Sequence, residues 1–135
     1  MPIYWIDSGV LITAKNRTYG FQLVPKFWVF MQNQLEAGTI RMPRMAFEEI
    51  ADGNDDLAKW CKLRKGIGSF CVRADKQVQK RYASIAEYVY GKYKYHQAAE
   101  FLKGADGWVI AHALETHGFV VTDESIHYNK SVVSG

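Results

Sequence analysis

Carboxylates stand beside apolar runs in four separate stretches of the chain. The acids concerned are Asp7, Glu49, Asp106, Asp123 and Glu124. Like charges repel each other, so folding gains nothing by gathering such side chains in one place unless a cation is bound there. Carboxylate oxygens are the ligands that hard divalent cations such as Mg²⁺ prefer. The pattern therefore suggests a site for a hard metal ion.

Short strands must position the first and the last of these acids. Residues 3–6 have the apolar character of a short buried strand, residues 119–122 are predicted as another strand, and an acid directly follows each of them. Two further strands are predicted over 39–42 and 130–133. Ligands of parallel sheets collect beyond the carboxyl ends of the strands, where the loops and the helix N-termini lie. We therefore expect Asp7 and the Asp123-Glu124 pair to lie at one edge of the sheet.

Helices are predicted between the strands and explain the positions of the other acids. One begins near Gly9, one runs from Pro25 to about Gly38, and one follows Pro43 through Ile50. Asp55 or Asp56 caps a fourth, Asp75 caps a fifth that Gly91 interrupts, and two more cover 94–102 and 105–117. In the second helix we expect Phe27, Leu35 and either Phe30 or Met31 to face inward. Strands alternating with helices indicate an α/β fold with a parallel sheet covered on both faces.

Length and composition limit the class of protein. With 135 residues, 48% of them hydrophobic, the chain is expected to form one globular domain. No apolar stretch is long enough to span a bilayer, and the chain begins without a basic leader, so we expect a cytoplasmic protein. Cys61 and Cys71 have no second thiol pair near them, which predicts neither a disulfide framework nor a zinc site.

The net charge of +3 hides an uneven distribution. Ten Lys and Arg residues and two acids lie between Lys59 and Tyr95, whereas the rest of the chain has seven basic and twelve acidic residues. Cations can hold phosphates, and exposed rings can stack on unpaired bases. Because they alternate with aromatic residues, the basic residues that we expect to hold a polyanion are Lys62, Arg64, Lys65, Lys92 and Lys94. A solvated helical face would explain the same charge run.

Taken one at a time, the acids also have structural explanations. Asp7 could accept backbone N–H bonds in a turn, and Asp106 could be a first-turn carboxylate that the helix dipole favours. Asp123 and Glu124 could begin a loop. His112 lies among apolar neighbours within a helix, so we expect a packed imidazole and no catalytic role.

The order of the motifs resembles that of the PIN-domain nucleases, and among them the VapC-like toxins of prokaryotic toxin–antitoxin pairs. The matching features are a strand followed by Asp7-Ser8, then Glu49-Ile50, then 104–113 (GADGWVIAHA), then 120–124 (VVTDE). The third motif is the most specific. By position, the acids of the family fall on Asp7, Glu49 (before an aliphatic residue, unlike Glu48), Asp106 and Glu124, with Asp123 as a competitor for the last place. Ser8 and Thr122 are the hydroxyl neighbours.

This resemblance implies a three-layer α/β/α sandwich over residues 1–135 that binds Mg²⁺ or Mn²⁺ and cuts single-stranded RNA. The four acids would be both the metal ligands and the catalytic residues. It also implies a cognate antitoxin protein as partner, and we expect a homodimer. PIN domains usually continue past the fourth acid into a last strand. Because eleven residues follow Glu124 in this sequence, we expect that strand to be short or missing.

Two other functions fit the same residues. One is a non-catalytic RNA- or protein-binding module with this fold. The other is an α/β phosphotransfer domain with Asp7 as acceptor, which explains one acid well and the others poorly.

Overall fold

A parallel sheet lies at the centre of the protein, whose computed structural model describes residues 2–18 and 20–122. Its strands are β1 (Tyr4–Ile6), β2 (Ile40–Arg41) and β3 (Phe119–Val121). Their order is β2-β1-β3, and both pairings are parallel. All three carboxyl ends therefore lie at one edge, as predicted. The strand predicted at 130–133 lies outside the described residues.

Seven α-helices surround this sheet within the described part of the chain. They are α1 (Ser8–Thr13), α2 (Pro25–Ala37), α3 (Arg44–Ala51), α4 (Asp56–Leu63), α5 (Lys76–Lys92), α6 (Tyr95–Lys103) and α7 (Asp106–Thr116). A π-helical turn, Ala14–Thr18, extends α1, and a 3₁₀ turn, Gly68–Phe70, precedes α5. None of the described helices is both long and apolar enough to cross a membrane.

Local chemistry sets several of these helix boundaries. Asp55 Oδ1 accepts a hydrogen bond from the Ala58 N–H at 2.9 Å, and Asp75 Oδ1 accepts one from Val78 N–H at the same distance. Each carboxylate satisfies an N–H group that has no partner within its helix. At the other end of α2, Gly38 takes a left-handed conformation with φ of 77°, which glycine adopts without strain.

Helices pack on both faces of the sheet, which gives the predicted α/β sandwich. Neighbouring side chains of β1 point to opposite faces. Ile6 joins the larger core, formed with α1 to α4, whereas Trp5 packs with Val109 and Ala113 of α7. Both strand residues are at most 2% exposed, so the central strand is buried on its two sides.

Of the two alternatives for α2, Met31 faces inward and Phe30 is 53% exposed, and Trp28, which was not expected to face inward, is buried beside Met31 and Leu35. The Trp28 ring packs between Phe21 (4.2 Å) and Trp60 (5.1 Å), so the large indole takes the inward position. Gly91 does not interrupt α5, because it lies in the last turn of that helix, where fraying limits the cost of glycine.

Candidate active site

Asp7 lies where β1 ends and α1 begins. Its Oδ1 accepts a hydrogen bond from the Val10 N–H at 3.1 Å, which makes Asp7 the N-cap of α1. The side chain is half-buried. The structural and functional interpretations of Asp7 are therefore compatible, because capping occupies one carboxylate oxygen and the residue still lies at the carboxyl edge of the sheet.

Glu49 reaches the same place from α3. The Ser8 hydroxyl, in the first turn of α1, donates a hydrogen bond to Glu49 Oε1 at 3.3 Å. The residues are 41 positions apart in the chain. Ile50 and Ala46 of α3 are buried in the larger core, which fixes the face that Glu49 presents. The second predicted acid therefore lies beside the hydroxyl neighbour of the first.

The adjacent acid, Glu48, has a different environment. Its Oε1 accepts a hydrogen bond from Arg44 Nε at 2.8 Å, and the two residues form an i,i+4 ion pair on the surface of α3. Successive residues of a helix point about 100° apart. The structure thus places Glu49, and not Glu48, beside Ser8.

Asp106 is the first residue of α7, and small residues hold that helix end in place. Ala105 is 3% exposed and belongs to the larger core. A Cβ atom on Gly107 would lie 3.0 Å from the ring of Tyr82, so α5 and α7 pack too closely here for a larger residue without a shift of that ring. A Cβ atom on Gly104 would lie 3.9 Å from Glu49 Oε2. The chain leading into Asp106 therefore passes beside the carboxylate of Glu49.

The charges of Asp7 and Asp106 act on Glu49, and we call these three residues the acid site. Partial loss of water raises the pKa of Glu49, the Ser8 hydrogen bond lowers it, and the negative charges of Asp106 and Asp7 raise it further. The net direction is upward. Among the residues that the structure describes, no Lys or Arg forms an ion pair with Glu49 or Asp106. Glu49 and Asp106 therefore carry this repulsion without an ion pair to a described Lys or Arg.

The acid site is not a preformed metal cage. Within residues 2–18 and 20–122, no group of three or more His, Cys, Asp or Glu side chains is arranged so that it could hold a metal ion. The donor atoms are nevertheless those that hard cations prefer, and Mg²⁺ is usually held by one or two carboxylates, several waters and substrate phosphate. The chemistry of the donors fits such an ion, whereas the geometry supplies no complete coordination shell.

The fourth predicted acid falls outside the described residues, as does its competitor Asp123. Thr122 is described, and it directly follows β3. Ile6 pairs with Val121 in the parallel ladder. Because the next residues are Asp7 and Thr122, these two stand at equivalent positions at the ends of adjacent strands. The choice between Glu124 and Asp123 stays a prediction.

In the first basic segment, 59–65, some side chains pack against other residues and some are exposed. Arg64 Nε donates to Gln32 Oε1 at 2.8 Å, Nη1 donates to the Trp60 carbonyl at 3.0 Å, and the guanidinium lies 4.2 Å from the Trp60 ring centroid. Burial lowers the pKa of Arg64. Lys62 and Lys65 are exposed. Arg64 thus has a packing role, whereas the two lysines are accessible to a phosphate chain, although Lys62 Nζ donates a hydrogen bond to the Gly53 carbonyl at 3.3 Å.

The second basic segment, 88–95 at the junction of α5 and α6, is exposed except for Val89, which is buried. Lys92 and Lys94 are both on the surface, with Lys92 Nζ 5.8 Å from the Tyr88 ring centroid. The tyrosines of this segment are 44–76% exposed, namely Tyr88, Tyr90, Tyr93 and Tyr95. Trp60 of the first segment is 8% exposed. Base stacking, if it occurs, therefore has exposed rings in the second segment only.

His112 is packed in the interior, as predicted. The His112 side chain is 2% exposed and stacks on Trp5 at 4.5 Å between ring centroids. Burial lowers the pKa of His112 to about 4, against a small opposing contribution from Asp75. Cys61 and Cys71 are free thiols, and burial raises the pKa of Cys61 to about 12. Neither thiol is a nucleophile at neutral pH by this criterion.

Sequence reasoning missed two cavities. One, of about 280 Å³, lies between α3 and α7 and is lined by Arg44, Arg73, Trp108 and His112 among others. The other is an apolar groove of about 650 Å³ between α5, α6 and α7, and no predicted acid lines it. Arg73 was visible in the sequence only as one charge of the basic middle. Its position beside α3 depends on the Pro43–Val72 bridge, which short-range patterns do not reveal.

Comparison with known proteins identifies a family whose function is unknown. The family described as a domain of unknown function, DUF4411, matches residues 4–133. No curated protein and no solved structure matches the chain.

Proposed function

The chain belongs to the DUF4411 family, and from its acid site we propose that it is a metal-dependent endoribonuclease acting on single-stranded RNA. One observation carries the proposal. The Glu49 carboxylate is hydrogen-bonded by Ser8 and lies within the electrostatic field of Asp7 and Asp106, without an ion pair from a described Lys or Arg. Such a concentration of negative charge at the carboxyl edge of a parallel sheet costs stability unless a cation is bound there.

Asp7, Glu49 and Asp106 are the described residues that would hold Mg²⁺ or Mn²⁺, together with Glu124 or Asp123. When bound, the ion lowers the pKa of a water and neutralises charge on the scissile phosphate. Ser8 orients the Glu49 carboxylate by holding Oε1. The N-cap bond of Asp7 fixes that carboxylate relative to α1. Both interactions reduce the reorganisation that ion binding requires.

Exposed cations would hold the RNA chain near this edge. Lys62, Lys65, Lys92 and Lys94 are on the surface, and the tyrosines around Lys92 present rings to solvent. Arg64 is better assigned to packing on Trp60. The resemblance of the motifs to VapC-like toxins supports a more specific proposal, in which the chain is the toxin of a toxin–antitoxin pair, is inhibited by a separate antitoxin protein and forms a homodimer.

Cleavage assays with matched variants test this function. The purified chain is incubated with labelled single-stranded RNA in Mg²⁺, in Mn²⁺ and in EDTA. We expect cleavage only with a metal, and a loss of about a hundredfold or more in Asp7→Asn and in Asp106→Asn. Asn caps a helix as well as Asp does, so Asp7→Asn should keep the fold. Glu48→Gln is the control and should cleave normally. Undiminished cleavage in both Asn variants would contradict the proposed site.

A second candidate function is a non-catalytic RNA- or protein-binding module. It is favoured by the finding that the described residues contain no group of three or more side chains arranged to hold a metal. A binding module would bind RNA equally well in EDTA and in Mn²⁺, and it would cleave none. Retained RNA affinity with no cleavage under any metal condition would support this alternative.

A further inference from the structure

A small pocket lies between α3 and α7, and no residue of the acid site lines it. Its volume is about 280 Å³. This volume is close to the lower limit of about 300 Å³ that is typical of small-molecule sites. This is enough for one planar heterocycle and too little for a folded segment of protein.

The charge of the pocket favours an anion. Arg73 lines it, is exposed, and forms no ion pair with any acid that the structure describes. Arg44 also lines it and uses Nε to bind Glu48. A guanidinium has five N–H donors, so this bond leaves others on Arg44 for a second acceptor. Two guanidinium groups at one small pocket match the geometry of phosphate oxygens, which Arg binds with paired hydrogen bonds.

Aromatic side chains form one wall of the pocket. The indole of Trp108 lines it and stacks on the Tyr82 ring at 3.9 Å, with 8° between the ring planes. The Tyr82 hydroxyl donates to the Leu102 carbonyl at 3.1 Å, which fixes the orientation of the pair. The His112 imidazole lies at the same pocket and is held by Trp5. A rigid aromatic surface beside cations is the combination that binds unpaired nucleobases.

The pocket lies one turn of α3 away from Glu49. Met45 lines the pocket, and Glu49 is one turn further along the same face of α3, about 6 Å along the axis. On α7, Trp108 lies only two residues after Asp106, but it points about 200° away from it around the helix. The two helices are in contact. The pocket and the acid site are therefore connected along α3, from Met45 to Glu49.

We propose that this pocket binds the nucleotide next to the scissile phosphate of a single-stranded RNA, with its base against Trp108 and a phosphate on Arg44 and Arg73. The proposal rests on the proposed function, because it takes the acid site as the place of cleavage. An acidic peptide would also meet the two arginines. The fixed aromatic wall and the small volume favour the nucleotide.

RNA binding in EDTA tests the pocket without requiring cleavage. Fluorescence anisotropy with a short single-stranded RNA should show affinity that is about five- to tenfold lower for Arg73→Gln than for the unmodified chain. The slope of log affinity against log salt should fall by about one. Arg17→Gln removes an exposed arginine from the turn after α1 and is the matched control; its affinity should change less than about twofold. Equal affinities for the two variants would overturn the proposal.

A second measurement does not depend on any substitution. RNA containing 4-thiouridine is photocrosslinked to the full chain in EDTA, and the attachment site is found by mass spectrometry. We expect the crosslink on the peptide that contains Trp108. Crosslinks found only on other peptides, or competition by an acidic peptide that is as strong as competition by unlabelled RNA, would overturn the nucleotide assignment.

The two proposals can fail separately. If Arg73→Gln weakens RNA binding but no metal supports cleavage, the pocket stands and the nuclease proposal fails. If the chain cleaves RNA and Arg73→Gln binds and cleaves like the control, the nuclease proposal stands and the pocket fails.

Discussion

Glu49 and His112, both near the contact between α3 and α7, have pKa values shifted in opposite directions. Partial loss of water is the largest cause that raises the pKa of Glu49, and the negative charges of Asp106 and Asp7 raise it further. The His112 imidazole is buried against Trp5 and its pKa is lowered to about 4, so it is neutral at physiological pH. Loss of water thus acts on both residues, but only Glu49 also faces like charges, and repulsion between like charges does not stabilise a fold. The contrast separates a packed polar residue from one that we propose to bind a metal.

The largest expected effect concerns His112 and pH. Its pKa is lowered from 6.5 to about 4 on folding, so the unfolded chain binds more protons between these values. Stability should therefore be complete above pH 6.5 and fall as the pH drops towards 4, by about 2 kcal/mol after allowance for water in the adjoining pocket. Urea unfolding at a series of pH values measures this loss.

A matched pair of variants isolates that contribution. His112→Phe keeps a ring against Trp5 and cannot titrate, so its stability should depend less on pH between 6.5 and 4. His96→Gln removes an exposed imidazole on α6 and should keep the dependence of the unmodified chain. If both variants follow the same pH profile, His112 does not contribute as described.

A smaller effect of opposite sign is expected at Glu49. Because its pKa is raised from 4.5, its contribution to stability is present below pH 4.5 and is lost as the pH rises through the folded pKa. Glu49→Gln should therefore stabilise the metal-free chain at neutral pH, by less than about 1 kcal/mol since the side chain is exposed, and should have no effect near pH 4. Thermal unfolding in EDTA measures the difference. Destabilisation by Glu49→Gln at pH 7 would show that the acid site is not strained.

The smallest effect is expected at Glu48, the neighbour of Glu49 in the sequence. Its ion pair with Arg44 is on the surface, with side chains 49% and 42% exposed for Arg44 and Glu48. Glu48→Gln should lower the melting temperature by no more than about 2 °C, and 1 M NaCl should remove the difference. Stabilisation by Glu48→Gln as large as that by Glu49→Gln would erase the distinction between the two acids.

Much of the fold could be predicted from the sequence, because residues close together in the chain determine where several helices begin and end. Asp55 and Asp75 cap their helices, Pro25 begins α2, and Gly38 ends it, all through contacts within a few residues. The alternation of short apolar strands with helices indicated the parallel sheet. The burial of Trp28 was not predictable, since it depends on contacts with Phe21 and Trp60, and Trp60 is distant in the chain.

The acid site was predictable in its members and not in its geometry. Asp7, Glu49 and Asp106 stand at the ends of regular elements, so motif order and sheet topology bring them to one edge. The Ser8–Glu49 hydrogen bond and the positions of Arg44 and Arg73 depend on how α1, α3 and α7 pack together. For the same reason, the sequence could not separate Arg64, which packs on Trp60, from the exposed lysines beside it.

Binding of Mn²⁺ to the unmodified chain and to three variants tests the central claim most directly. Isothermal titration calorimetry should detect Mn²⁺ binding to the unmodified chain and to Glu48→Gln with similar affinity. Asp7→Asn and Asp106→Asn should each bind about tenfold more weakly or worse, because each removes a charge from the acid site. Equal Mn²⁺ affinity in all four proteins would contradict the assignment of these acids to a metal-dependent active site.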